Sequence, residues 1–342
     1  MNKIIPIIAS IGLAGQAHAA KGLALESQKT QADITIDGKF DDAWQQSHVV
    51  TVKLDELPYE PNNGYEGLKR TEMQVRSLYD EQYVYWMFSW EDEDQDYQRF
   101  PWQKQADGSW KHMKNLDSTK HENTWYEDKL AVFWNINEKG FAKKGCDKSC
   151  HMAEEGMIDG IADDSSGRHY TKNDYLIDEW QWKGTRTNIN RQIDDGYVDS
   201  EKNTNKKWGR HPDHKTGGGY YNNFNEDKSG PAYQLQDPSQ FTYWLEDKNK
   251  VPFVDNYQTG DMVPGIITSP FTGSRADVES YGYWDGKSWH LEVKRKRVTD
   301  DNTHDLQFTD LSKTYHFGVA AFDNSQINHL YHNKAIKFTF AK

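Results

Sequence analysis

Apolar and polar residues alternate along several short stretches, the period of half-buried strands. Residues 33–37 alternate (Asp-Ile-Thr-Ile-Asp) and meet Gly38. Residues 49–54 read as a second strand. Residues 73–78 alternate, break at Asp80-Glu81 and resume over 83–90, a hairpin signature with β-branched and aromatic residues on both arms. A further strand falls at 129–136. Stretches 280–284 and 288–293 flank Asp285-Gly286, the strongest short hairpin turn signal. Residues 315–322 and 335–340 complete the set. With no long amphipathic helix between them, these strands predict an all-β fold, an antiparallel β-sandwich or barrel.

Two long segments lack sustained periodicity. Residues 138–225 are rich in Asp, Asn, Lys, Gly and Trp, and residues 226–262 carry Pro231, Pro238 and Pro252. Loops this long in a compact domain are functional or disordered. The first holds both cysteines and many aromatics, so it reads as an ordered functional insertion. The expected organisation is one domain over residues 20–342, preceded by a signal peptide over 1–19. Lys3, the short apolar run 4–13 and the Ala17-His18-Ala19 cleavage box carry that second reading. The run is too short to cross a bilayer, and nothing later approaches ~20 consecutive apolar residues. Cleavage near Ala19, a periplasmic location and no membrane span are the expectation.

Composition narrows the function. Aromatic residues make up 13% of the 342, which excludes a disordered chain despite a hydrophobic fraction of 35%. A net charge of −12 opposes binding to nucleic acid and to anionic membranes. Two cysteines exclude a multi-disulfide framework.

Those two cysteines lie in Cys146-Asp147-Lys148-Ser149-Cys150-His151. The motif is C-x-x-x-C-H, one residue longer than the usual C-x-x-C-H of c-type haem attachment. Each thiol would form a thioether with one porphyrin vinyl group, and the adjacent His151 would serve as proximal iron ligand. Gly145 permits a tight turn before the first thiol. Competing readings fit less of the motif. A Cys146–Cys150 disulfide closes a short loop, gains little and leaves His151 unused. A zinc site needs a fourth ligand that is not clustered here. A redox dithiol usually has two intervening residues and a βαβ setting.

The order of segments around this motif resembles the haem-binding domain of ethylbenzene dehydrogenase γ subunits, related type II DMSO-reductase-family haem subunits and a group of c-type cytochromes. Ile34-Thr35-Ile36-Asp37-Gly38 with Asp42-Ala43-Trp44 is similar to the family's opening block. Residues 86–92 and 129–134 resemble later strands. Asp178-Glu179-Trp180-Gln181-Trp182-Lys183 with Arg186-Thr187-Asn188 resembles another block, as do residues 286–295 and Ala321-Phe322-Asp323-Asn324 with His329. The resemblance implies a sandwich like family 9 carbohydrate-binding modules, haem held at one end, and electron transfer rather than substrate turnover. In b-haem members Met and Lys hold the iron. Here His151 would replace the Met, and the Lys would be Lys294, with Lys296 as neighbour. Met152, Met157 and His169 compete as distal ligands. Trp180, Trp182, Lys183 and Arg186 are expected to pack on the porphyrin and pair with its propionates. His329 and His332 read as satisfied strand-end histidines rather than ligands. Gly184 departs from the family's usual Ala, and Lys296-Arg297 from its Pro-Leu.

The functional expectation is a non-enzymatic, exported monohaem c-type cytochrome with one covalent haem c. Its partners would be redox proteins with a basic docking patch, or a molybdenum-enzyme complex. The alternative is a secreted carbohydrate-binding sandwich with a Cys146–Cys150 disulfide. A haem enzyme or sensor would require an open iron site. The acidic run 91–94 reads as a solvated loop, with oxygen ligands of the kind Ca²⁺ takes but without EF-hand spacing.

Overall fold

A computed structural model describes residues 22–149, 169–201 and 209–342, and the backbone of 157–158 and 161–162. The signal-peptide reading, Cys150, His151 and Met152 lie outside the described residues, as does the Met157 side chain.

Thirteen strands build the main sheet: β1 (Ala24–Lys29), β2 (Val49–Leu54), β3 (Thr71–Tyr79), β4 (Tyr83–Glu91), β5 (Lys129–Asn135), β6 (Ile177–Lys183), β7 (Asp194–Val198), β8 (Arg210–Pro212), β9 (Val278–Trp284), β10 (Ser288–Lys296), β11 (Tyr315–Phe322), β12 (Leu330–Tyr331) and β13 (Ile336–Phe340). The order is β8-β7-β6-β5-β11-β13-β1-β3-β4-β10-β9, with β2 beside β3 and β12 beside β11. The sheet curls on itself into two leaves, so the expected all-β sandwich is the observed architecture. Strand β1 joins the leaves, pairing parallel with β13 through its first residues and with β3 through its last. The other ladders of this sheet are antiparallel.

Between the leaves lies an aromatic core. Trp86, Trp134, Trp180, Trp182 and Trp289 are fully buried there. Trp180 meets Trp86 at 5.1 Å and Trp134 at 5.5 Å between ring centroids, and Trp182 meets Trp289 at 5.0 Å. Tilted and edge-on pairs of this kind add to the apolar burial.

Three expectations need correction. Residues 33–37 form no ladder. Ile34 and Ile36 are buried, but the Asp37 and Gly38 amides donate to Glu292 instead of to a strand, each at 2.7 Å. Residues 138–225 are not one insertion, because β6 and β7 belong to the main sheet. Outward Glu179, Gln181, Lys183 and Asp194 are polar or charged, which masks the alternation that the inward Trp180 and Trp182 carry. Residues 226–262 contain the ladder of Tyr233–Leu235 with Lys250–Pro252, and Leu245–Glu246 pairs with Ile266–Thr272. No helix among the described residues is long and apolar enough to cross a membrane.

Candidate haem cavity

The register of β6, β5 and β11 aligns three rows of side chains on the outer face. The rows are Glu179–Phe133–Gly318, Gln181–Ala131–Ala320 and Lys183–Lys129–Phe322. The middle row is short, and its neighbour Gly318 has no side chain, so the sheet surface is hollow at its centre. A cavity of about 460 Å³ lies over it, within the usual range for cofactor and ligand sites. A narrow extension, about 30 Å³, is lined by Cys146, Gly318 and Ala320 and shares Ala131, His169 and His329 with the main cavity.

Cys146 reaches this extension from a 3₁₀ turn, Gly145–Lys148. Gly145 has φ +55°, and a Cβ there would lie 2.5 Å from the Lys334 carbonyl carbon, so both backbone shape and space call for glycine. Gly318 is required from the other side, because its Cβ would come 2.5 Å from Cys146 Sγ. Cys146 is buried and, among the described residues, bonded to no other cysteine. Burial, then the charge of Asp147, pushes its thiol up to about 12, so it is held protonated.

Two imidazoles face the same space. His169 packs edge-on to Phe133, and its buried Nδ1 has no hydrogen-bond partner, with Glu179 Oε1 3.9 Å away. His329 Nδ1–H donates to the Ile327 carbonyl at 2.7 Å, which makes Nε2 the basic nitrogen. Burial holds both rings neutral, with pKa values pushed down to about 4. A neutral imidazole anchored by Nδ1–H to a backbone carbonyl is the usual state of a metal-binding histidine.

The opposite end is cationic. Lys and Arg outnumber Asp and Glu two to one among the lining residues, in a chain whose net charge is −12. Three carboxylates, Asp194, Glu179 and Glu127, hold cations in place here. Asp194 pairs with Lys183, and with Arg275 at 2.5 Å, and accepts from Tyr220 Oη at 2.7 Å. Burial would raise Asp194, but these two cations hold it far below the ordinary carboxylate range. Glu179 pairs with Arg210 at 2.6 Å. Fully buried Glu127 pairs with Arg186 Nε and accepts from the Thr185 and Arg186 amides at 2.8 and 2.9 Å.

Of the residues singled out from the sequence, Cys146, His169, Lys183 and Arg186 come together here. Trp180 and Trp182 do not. They alternate with Glu179, Gln181 and Lys183 and therefore point into the core, where Trp182 Nε1 donates to Asn188 Oδ1 at 3.0 Å. Lys294 is also elsewhere. It lies on β10, 3.6 Å from Glu279 Oε2 and over the Tyr83 ring, and lines a separate depression with Asp301. Lys294 therefore lines neither the cavity nor the extension that Cys146 lines. His332 is half-exposed and contacts the Lys53 carbonyl. The sequence reading missed His329, Lys129, Arg210 and Arg275 as cavity residues. The small residues inside the bulky strands Lys-Leu-Ala-Val-Phe-Trp and Phe-Gly-Val-Ala-Ala-Phe were the available signal for the hollow. Arg210 and Arg275 carried none, since Arg210 enters by the pairing of β8 with β7 and Arg275 by a 3₁₀ turn, Ser274–Ala276, far along the chain.

A carbohydrate-binding module of family 9 from Caldicellulosiruptor kristjanssonii, solved with cellotriose, is similar in structure at 8% identity. The match covers 93% of this chain and 95% of that one, with a TM-score of 0.34. A proposed carbohydrate-binding protein from Bacteroides uniformis is similar at 9% identity, with 94% and 100% coverage and a TM-score of 0.36. None of the curated proteins matches the chain. The sequence model described as ethylbenzene dehydrogenase matches residues 41–334, which include the strands that line the cavity. The chain belongs to the ethylbenzene dehydrogenase family.

Proposed function

We propose that the protein is an exported c-type cytochrome that transfers electrons in the periplasm, with one haem attached through Cys146 and Cys150. The observation that carries this reading is the buried Cys146 thiol at the narrow end of a cavity that holds two neutral imidazoles and a surplus of cations. The residues suit a haem in three ways. The main cavity over Ala131 is open to a flat ring system, and Cys146 lines the narrow extension that joins it. His169 and His329 offer nitrogen ligands. Lys183, Arg186, Arg210 and Arg275 match the propionate carboxylates. His151, by its place in the motif, would hold the iron. Of the described residues His329, whose Nδ1–H is held by the Ile327 carbonyl, would be the first to offer the iron a further nitrogen, and His169 the second.

A bound haem supplies a reversible one-electron couple at iron. The chain's own residues tune that couple. The strand side chains and Phe322 exclude water, and the net positive lining opposes a further positive charge, which raises the potential. The acidic chain is steered to a basic patch on a redox partner. Family membership is equally compatible with service as a non-catalytic subunit of a molybdenum enzyme.

The test is a haem stain of the denatured, exported protein, made with the c-type maturation machinery, and an alkaline pyridine spectrum. Haem retained on the chain with a c-type band is expected, and Cys146→Ala and Cys150→Ala should each lower the yield. His329→Ala should alter the axial-ligand spectrum. Absence of covalent haem, with Cys146 and Cys150 oxidised to each other, would overturn the proposal in favour of the secreted carbohydrate-binding sandwich.

A further inference from the structure

Strand β4 runs into Asp92-Glu93-Asp94-Gln95-Asp96. Asp92 and Asp96 turn inward and are 1% and 7% exposed. They meet Asp128, just before β5, and Asp323, just after β11, which are 0% and 8% exposed. Carboxylate oxygens of Asp92, Asp94 and Asp323 lie within 4.8 Å of one another, as do those of Asp96, Asp128 and Asp323. Asp323 belongs to both triads, so five carboxylates converge.

Little in the protein balances them. Asp128 accepts from the Asp96 amide at 2.8 Å, Trp289 Nε1 at 3.0 Å and the Asn324 amide at 3.0 Å. Asp323 accepts from the Leu68 amide at 2.7 Å. Asp92 is different: both its oxygens are buried without a hydrogen-bond partner, inside the cluster. Among the described residues no Lys, Arg or His forms an ion pair with any of the five. A second buried cluster, around Asp195, Asp277 and Asp305, has its own cation in Arg295, 3.2 Å from Asp305.

We infer that Asp92, Asp94, Asp96, Asp128 and Asp323 form a Ca²⁺ site. The donor set is all oxygen and all carboxylate, the chemistry of a hard cation rather than of zinc or copper. The unequal contribution of loop and strand ends suits the adaptable coordination of Ca²⁺ better than the strict octahedron of Mg²⁺. The Asp-x-Asp-x-Asp spacing supplies three ligands from one loop. Tyr97 and Gln103 stand where an EF-hand would need its Gly and its Glu, and Asp128 and Asp323 supply the missing ligands from other strands. Asp128 adjoins Lys129 and Asp323 adjoins Phe322, both of which line the cavity. The ion therefore pins the strand ends that shape it.

The exported protein, stripped with a chelator, is titrated with Ca²⁺ or Mg²⁺ while Tm is followed, and bound metal is counted by mass spectrometry. A rise of about 5 °C at hundred-fold excess over Kd is expected with Ca²⁺, and a smaller one with Mg²⁺. Asp92→Asn should raise the Tm of the stripped protein, because it relieves repulsion, and should abolish the Ca²⁺ response with loss of bound metal. Glu93→Gln, at an exposed position, should respond as the wild type does. If Asp92→Asn fails to fold, Asp94→Asn is expected to weaken Ca²⁺ binding about tenfold. A wild-type Tm indifferent to Ca²⁺, or an Asp92→Asn or Asp94→Asn protein that keeps the full response, would overturn the inference.

Discussion

Strands β5, β6 and β11 present two faces that share a backbone and differ in every other respect. The inner face is Trp134, Trp180, Trp182, Phe317 and Val319, all buried among rings. The outer face is Ala131, Gly318, Ala320, Glu179 and Lys183, and it encloses a cavity. Inner residues gain stability by filling space, as apolar area leaves water. Outer residues leave space open and hold charge in it. That charge is not left alone: Arg186 is matched by Glu127, and Lys183 by Asp194. One sheet thus separates a packed surface from a hollow, charged one across the thickness of its backbone.

The separation can be broken at either face. Trp180→Ala removes a ring packed against Trp86 and Trp134 and should cost about 5 kcal/mol of unfolding free energy by denaturant titration. A loss under about 1 kcal/mol would mean the inner face is not the stabilising one. Arg186→Ala should cost about 3–4 kcal/mol, for an electrostatic reason: Glu127 stays buried with only Arg99, at 4.0 Å, as counter-charge.

Lys183 gives the outer face a pH dependence the inner face lacks. Burial pushes its ammonium down to about 8 from 10.5, with Asp194 opposing. Below pH 8 folded and unfolded chains both hold the proton, and the cost of burying it is fully present. Between pH 8 and 10.5 the unfolded chain holds more protons, so stability rises with pH across that window. Lys183→Met should remove this rise, up to about 3 kcal/mol, in urea unfolding at pH 7.5 and pH 10. The smallest effect belongs to Lys294→Ala. A half-exposed pair with Glu279 is worth under about 1 kcal/mol, and the substitution should leave the spectrum of the haem-loaded protein unchanged. A changed spectrum would return Lys294 to the cavity, against its position on β10.

Much of the fold was legible because its signals are local. The hairpin of β9 and β10 follows from Asp285-Gly286 between alternating arms, and β11 falls where the pattern put it, at residues 315–322. β1 escaped because Ala24–Lys29 is mostly polar and is held by parallel pairing with partners far along the chain. β6 and β7 were hidden because outward Glu179, Lys183 and Asp194, which line the cavity, look like loop composition. The same cause misplaced Trp180 and Trp182. The family resemblance suggested a cofactor face for them, but strand alternation sends them inward whenever Glu179, Gln181 and Lys183 face out.

By itself the sequence determined the fold class, the C-x-x-x-C-H motif and the run of alternating aspartates, because each is written in adjacent residues. Only the tertiary structure decided that His329 and not Lys294 shares a cavity with Cys146, that Arg210 and Arg275 close its cationic end, and that Asp128 and Asp323 join Asp92. Those are distances between residues far apart in the chain, set by strand register and by which face each side chain takes. A shift of one residue in any of these strands would exchange the two faces.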